Sequence, residues 1–189
     1  MPDGFIPPHG GYRKLRSYQK AEIVFDATVH FCHRFFDKRD RTIDQMVQAA
    51  RSGKQNIAEG SLASATSKES EIKLTNVARA SQVELLEDYR DFLRTRKLAE
   101  WTPEHPYARR LQELNRTPDA TYATFQKGIE NKDPEIAANV ILGLVNLTCY
   151  LLNRQIAALE RAFLKEGGLR ERMTKARLKA RSKENFEEK

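Results

Sequence analysis

Few side chains in this 189-residue chain are spaced for acid–base or metal chemistry. Asp26, His30, His33 and Asp37 recur at spacings of four, three and four, which gathers two imidazoles and two carboxylates into one arc of a helix. Such a stripe can ligate a metal or titrate near neutrality. It also lies opposite the apolar line of Val24, Phe31 and Phe35, as a solvated polar face does, so no metal site is expected. Glu84 and Asp88 stand one turn apart and read as polar-network or surface residues rather than an acid/base pair. Cys32 and Cys149 sit in apolar runs without ligand spacing, as reduced core thiols of a cytoplasmic protein do. No Glu-x-x-His pair, glycine-rich phosphate loop or Gly-x-Ser-x-Gly elbow is present. The expectation is a non-enzyme with no catalytic residue and no cofactor.

Charge is the stronger signal. The formal net charge is +7, and it is concentrated in two segments. Near the start, Arg13, Lys14, Arg16 and Lys20 have no acidic neighbour among them. Near the end, Arg170, Arg172, Lys175, Arg177, Lys179, Arg181 and Lys183, with Lys165 before them, face only Glu166 and Glu171. Leu169, Met173, Ala176 and Ala180 mark a thin apolar line along that second segment, which lacks the Trp or Phe of a membrane-surface helix. A basic helix of this kind is attracted to phosphate backbones by counterion release, without reading sequence. A solvated tail with a few ion pairs is the alternative.

A third feature is structural. Met46, Ala50, Gly53, Ile57 and Gly60 share one helical face that is almost free of side chains, suited to close approach of a neighbouring backbone. Ser52, Asn56 and Glu59 form a polar stripe beside it. That stripe is either a solvated or capping face, or a half-buried network in which Asn56 and Glu59 set the register of this helix against its partner.

The elements that must position these residues are helical. Apolar periodicity predicts a first helix over 17–36, whose arc (Val24, Thr28, Phe31 and Phe35, then Phe25, Val29, Cys32 and Phe36) is wide enough that part of it is expected to meet another subunit. A second helix is predicted over 41–60. A third is predicted over 67–97, with Leu74, Ala78, Ser81, Leu85, Tyr89 and Phe92 facing the core. Asp133-Pro134-Glu135 announces the last long helix, with an N-cap and a proline at the first helical position. Its two apolar stripes (Ile136, Val140, Leu144, Leu147, Leu151; and Ala137, Ile141, Val145, Thr148, Leu152) mark it as the most buried, and Gly143 within it as a notch or a mild kink. An insertion at 98–132 holds the single tryptophan, Trp101, a short helix over 107–114, and another started by Thr117-Pro118-Asp119 and ended by Gly128. It reads as a small lid anchored by Trp101, with a partner-binding surface as the alternative. Gly167-Gly168 separates the last bundle helix from the basic segment. No apolar run is expected to span a bilayer, and the Pro- and Gly-rich start has no signal-peptide layout.

Asn56-Ile57-Ala58-Glu59-Gly60, followed by Lys68 and then by Ala78, Ser81 and Glu84, resembles the four helix bundle protein family, also called the 23S rRNA intervening-sequence protein family. It is similar as well to the accessory variability determinant of diversity-generating retroelements. The likeness covers residues 15–97 and, less specifically, the last long helix. The chain departs from the family pattern at Gly53-Lys54, where an apolar residue usually follows Ser52. The basic end, with Gly-Gly, Glu171 and spaced arginines, resembles a suffix carried by some members. The resemblance implies an all-α, antiparallel four-helix bundle over 15–165, after a flexible lead over 1–14 and before a basic suffix over 166–189. It further implies closed rings, notably pentamers, whose basic surfaces engage RNA or DNA and, in retroelements, a reverse transcriptase. The resulting expectation is a non-enzymatic, oligomeric nucleic-acid-binding accessory protein. A protein–protein scaffold acting through apolar bundle surface or the insertion is the alternative.

Overall fold

The computed structural model describes residues 10–117 and 119–187, and only the backbone of Arg172, Lys179, Ala180 and 182–187. The described residues are all-α and contain no strand. After a 3-10 turn over Tyr12–Lys14 come α1 (Arg16–Phe35), α2 (Thr42–Ala63), α3 (Lys68–Thr95), α4 (Pro106–Asn115), α5 (Tyr122–Ile129), α6 (Pro134–Glu166) and α7 (Leu169–Glu187). Most of the lead expected over 1–14 lies outside the described residues, and the part that is described is a turn packed on the fold.

Caps set the helix boundaries. Ser67 accepts the amide of Ser70 at the start of α3, and Asp133 accepts that of Glu135 at 2.8 Å at the start of α6, with Pro134 following. Gly167, at φ 71°, ends α6 in a conformation that a side chain would resist. One expected start is displaced. The helix placed at Thr117-Pro118-Asp119 begins instead after Thr121, whose hydroxyl and that of Thr124 form a capping box; Pro118 lies outside the described residues. Gly128 does not end this helix. It packs face-on against Val140, where an added Cβ would come within 2.9 Å.

The four long helices pack in a cycle, α1 on α2, α2 on α3, α3 on α6 and α6 on α1. Phe31 is the hub of the main core, with ring centroids of Phe92, Phe35 and Tyr89 at 4.7, 4.9 and 5.1 Å. Burial of each such side chain contributes about 1.5–3 kcal/mol. The Tyr89 hydroxyl donates to Thr28 Oγ1 at 3.1 Å, so the buried phenol is not left unpaired. The wide arc of α1 is covered largely within the chain, since Phe25, Phe35 and Phe36 all pack on the main core. Arg96 lies over the rings of Phe92 and Phe36, and Lys54 over that of Phe25. A second subunit is therefore not needed to shelter these aromatics.

The apolar line of α6 holds along Ala137, Ile141, Val145, Thr148 and Leu152, while Leu147 and Leu151 are half-buried. The expectation of no membrane-length run needs correcting: by length and composition α6 is apolar enough to cross a bilayer. In this fold 56% of that apolar window is buried inside the protein. Gly143 is a notch that receives Leu111 of α4. The lid reading of the insertion agrees with its packing, in which α4 and α5 both rest on α6 and α5 also touches α1. Asn139, buried on α6, ties it down. Its Oδ1 accepts the Trp101 amide at 2.8 Å, and its Nδ2 donates to the Ala99 carbonyl at 2.8 Å.

Candidate nucleic-acid interface

The described part of the basic lead packs on the fold. Tyr12 packs edge-on against Tyr18 at 4.8 Å, and Leu15 joins it on a small satellite core built around Ile57, Ala78 and Leu152. Gln19 donates to the Arg13 carbonyl at 3.0 Å. This presents Arg13, Lys14 and Arg16 to solvent.

Lys20 does not join them. It is only 5% exposed, its ammonium lies 4.6 Å from the centroid of the Phe125 ring of α5, and no hydrogen-bond partner is found for it among the described residues. Burial lowers its pKa, and the Arg16 charge adds to that. Lys20 was expected at the interface and is instead an interior residue, because the insertion folds across the first turns of α1.

At the other end of the chain, Glu171 accepts the Gly168 amide and closes the start of α7. Arg170, Lys175, Arg177 and Arg181 are exposed, while the side chains of Arg172, Lys179 and Lys183 lie outside the described residues. At ~100° per residue, positions 170, 177 and 181 share one line and 172, 175, 179 and 183 the opposite one, with the Leu169–Ala176 line between them. Among the described residues α7 makes no extended contact with another helix, and Met173 and Leu178 are exposed.

The two basic segments lie towards the same end of the four long helices. Ser17 at the start of α1 donates to Gln155 in the C-terminal half of α6 at 2.6 Å. Gly10 lies against Leu62 at the end of α2, and the Glu69 carboxylate at the start of α3 approaches Gly168. Residues far apart in sequence thus lie towards one end.

The motif residues lie on α2 and α3. Met46, Ala50, Gly53, Ile57, Gly60 and Ala78 are buried. A Cβ on Gly60 would come within 3.3 Å of the Glu71 carbonyl, so α2 and α3 approach closely there. Of the two readings of the Ser52/Asn56/Glu59 stripe, the described residues fit the solvated face rather than the register network. Asn56 donates to the Ser52 carbonyl of its own helix at 2.9 Å, and Glu59 is exposed. Ser81 is half-buried and Glu84 exposed. Sequence reading missed Gln82, which is fully buried over Gly53, with neither amide atom hydrogen-bonded among the described residues. The close neighbour that Gly53 admits is this side chain rather than a backbone. Gln82 is one residue from the expected Ser81, a step of ~100° around the helix.

The candidate acid–base side chains are spread along the surface of α1 and just past its end. His30 is half-buried, while Asp26, His33 and Asp37 are exposed. Among the described residues no group of three or more His, Cys, Asp or Glu is placed to hold a metal. Asp88 is pushed up to about 6 by burial, and by the charges of Glu84 and Asp91. It lines a cleft of about 340 Å³ with Phe36, Asp40, Thr42 and Arg96, where α1 passes into α2. Burial holds the Cys32 thiol near 12, so it is inert at neutral pH. No family model, curated protein or solved structure matches the chain.

Proposed function

We propose that this protein is a non-enzymatic nucleic-acid-binding accessory protein that grips phosphate backbones without sequence preference. The observation that carries the reading is that exposed Arg13, Lys14 and Arg16 and the exposed cations of α7 are placed towards the same end of the four long helices. In the same reading the four long helices are an antiparallel four-helix bundle that acts as the scaffold, in line with the family resemblance. A cytoplasmic homo-oligomer, a pentameric ring by that resemblance, would multiply the cationic end into a multivalent surface. A reverse transcriptase is a candidate protein partner on the same ground.

The test is a salt series on single-stranded RNA and duplex DNA. Seven exposed cations (Arg13, Lys14, Arg16, Arg170, Lys175, Arg177 and Arg181), each neutralising one phosphate, give a slope of log K against log salt of about −6 on duplex DNA. Replacing the four α7 residues by Gln in the full chain brings that slope to about −3. Binding that is absent, or insensitive to salt in both proteins, removes the reading. Light scattering on the same samples measures the assembly against the 21.8 kDa chain mass, and a strict monomer removes the ring.

A further inference from the structure

We propose a binding site for a small amphiphilic monoanion, an aliphatic or arylalkyl carboxylate, in the groove between α4, α5 and α6. The groove has a volume of about 530 Å³, within the range of small-molecule sites. Its lining is largely apolar: Trp101 and Phe125 contribute aromatic surface, and Leu114, Ile136 and Val140 aliphatic surface.

Two glycine contacts, less than a turn apart along α6, seat the insertion against that helix. Leu111 of α4 plugs the Gly143 notch, and Gly128 brings α5 onto Val140. Ala123 on α5 contributes only a methyl group to the lining.

Charge selects the occupant. Two cations, Arg110 and Lys127, line the groove, and no carboxylate does. Arg110 is held by Glu113 at 2.8 Å, which leaves Lys127 as the main attraction for an anionic head. Asn131 adds a neutral hydrogen-bonding group to the lining. An apolar tail therefore fits the walls while a carboxylate meets Lys127 at the rim. A cationic amphiphile has no counter-charge in the lining.

Trp101, the single tryptophan, makes the groove self-reporting. The full-length protein is titrated with decanoate, decanol and decylamine below their aggregation concentrations, following Trp101 emission and, in parallel, heat. Decanoate is expected to change the emission saturably and to bind several-fold more tightly than decanol. Lengthening the acid from octanoate to decanoate buries two methylenes. At about 0.8 kcal/mol each, that tightens binding by roughly 15-fold. Lys127→Glu should invert the preference between decanoate and decylamine. Ala123→Phe, at an exposed position, should abolish binding with the thermal midpoint retained. The proposal is overturned by the absence of any saturable response in both readouts, by decanol binding as tightly as decanoate, or by Lys127→Glu leaving the preference unchanged.

Discussion

Gly53→Ala probes the contact beneath the family-like motif. Helix propensity alone favours the substitution by about 1 kcal/mol. The site does not, because the new Cβ would lie 2.9 Å from Gln82 Cδ and 3.1 Å from its Cγ, closer still to the amide nitrogen. Gln82 is completely buried, so any shift must be taken up inside the core. Overpacking of this kind costs about 1–3 kcal/mol, so after the propensity gain the single variant should lose up to about 2 kcal/mol net. The second arm is Gln82→Ala. It forfeits the packing of two methylenes and leaves a cavity, yet it relieves an unpaired buried amide that costs about 1–3 kcal/mol, so its net effect is small. In that background Gly53→Ala meets vacated space and should stabilise by about 1 kcal/mol. The coupling between the sites is then about 1–3 kcal/mol, the overpacking cost itself. At ~2–4 °C per kcal/mol for a chain of this size, the midpoint change caused by Gly53→Ala reverses sign between the two backgrounds. Urea and thermal unfolding followed by far-UV circular dichroism, at one fixed protomer concentration, measure all four proteins. Additivity within about 0.5 kcal/mol would refute the claim that Gln82 occupies the space Gly53 leaves open.

Two further outcomes follow from the burial of charged groups. Lys20→Met removes an interior cation over Phe125 and should leave both nucleic-acid affinity and its salt slope unchanged, with equal or higher thermal stability; a fall in slope of about one unit would return Lys20 to the interface. Asp88, raised to about 6 from an unfolded value near 3.9, destabilises the fold while ionised, so its penalty is complete above pH 6 and disappears as the pH falls towards 4. After allowance for solvent screening the effect is about 1 kcal/mol. Asp88→Asn should therefore raise the midpoint at pH 7 but converge on the unsubstituted protein near pH 4, and a pH-independent difference between them would contradict the assignment.

Much of the fold was legible because its signals are local. The Asp133-Pro134 start of α6, the Ser67 cap of α3 and the Gly167-Gly168 break all act within a turn of the residues that announce them. The start of α5 was misplaced because Thr121 and Thr124 offer a capping box that competes successfully with the turn signal at Thr117-Pro118-Asp119. Asn139 had no local signature either. Its partners, Ala99 and Trp101, become neighbours only when the insertion folds back on α6.

The candidate site divides along the same line. The sequence by itself determined that the chain is helical, that a small-residue face runs from Met46 to Gly60, and that positive charge gathers in two segments near its ends. These follow from backbone periodicity, capping and composition, all properties of short stretches of chain. Tertiary structure alone decided which charges stay in water and which faces are covered. It placed Arg13–Arg16 towards the same end of the fold as the start of α7, and it drew Lys20 under Phe125. It also chose Gln82 over Ser81 as the side chain above Gly53. A helix can turn any residue towards its neighbour at little local cost, so burial is set by what packs against it, and that partner comes from elsewhere in the chain.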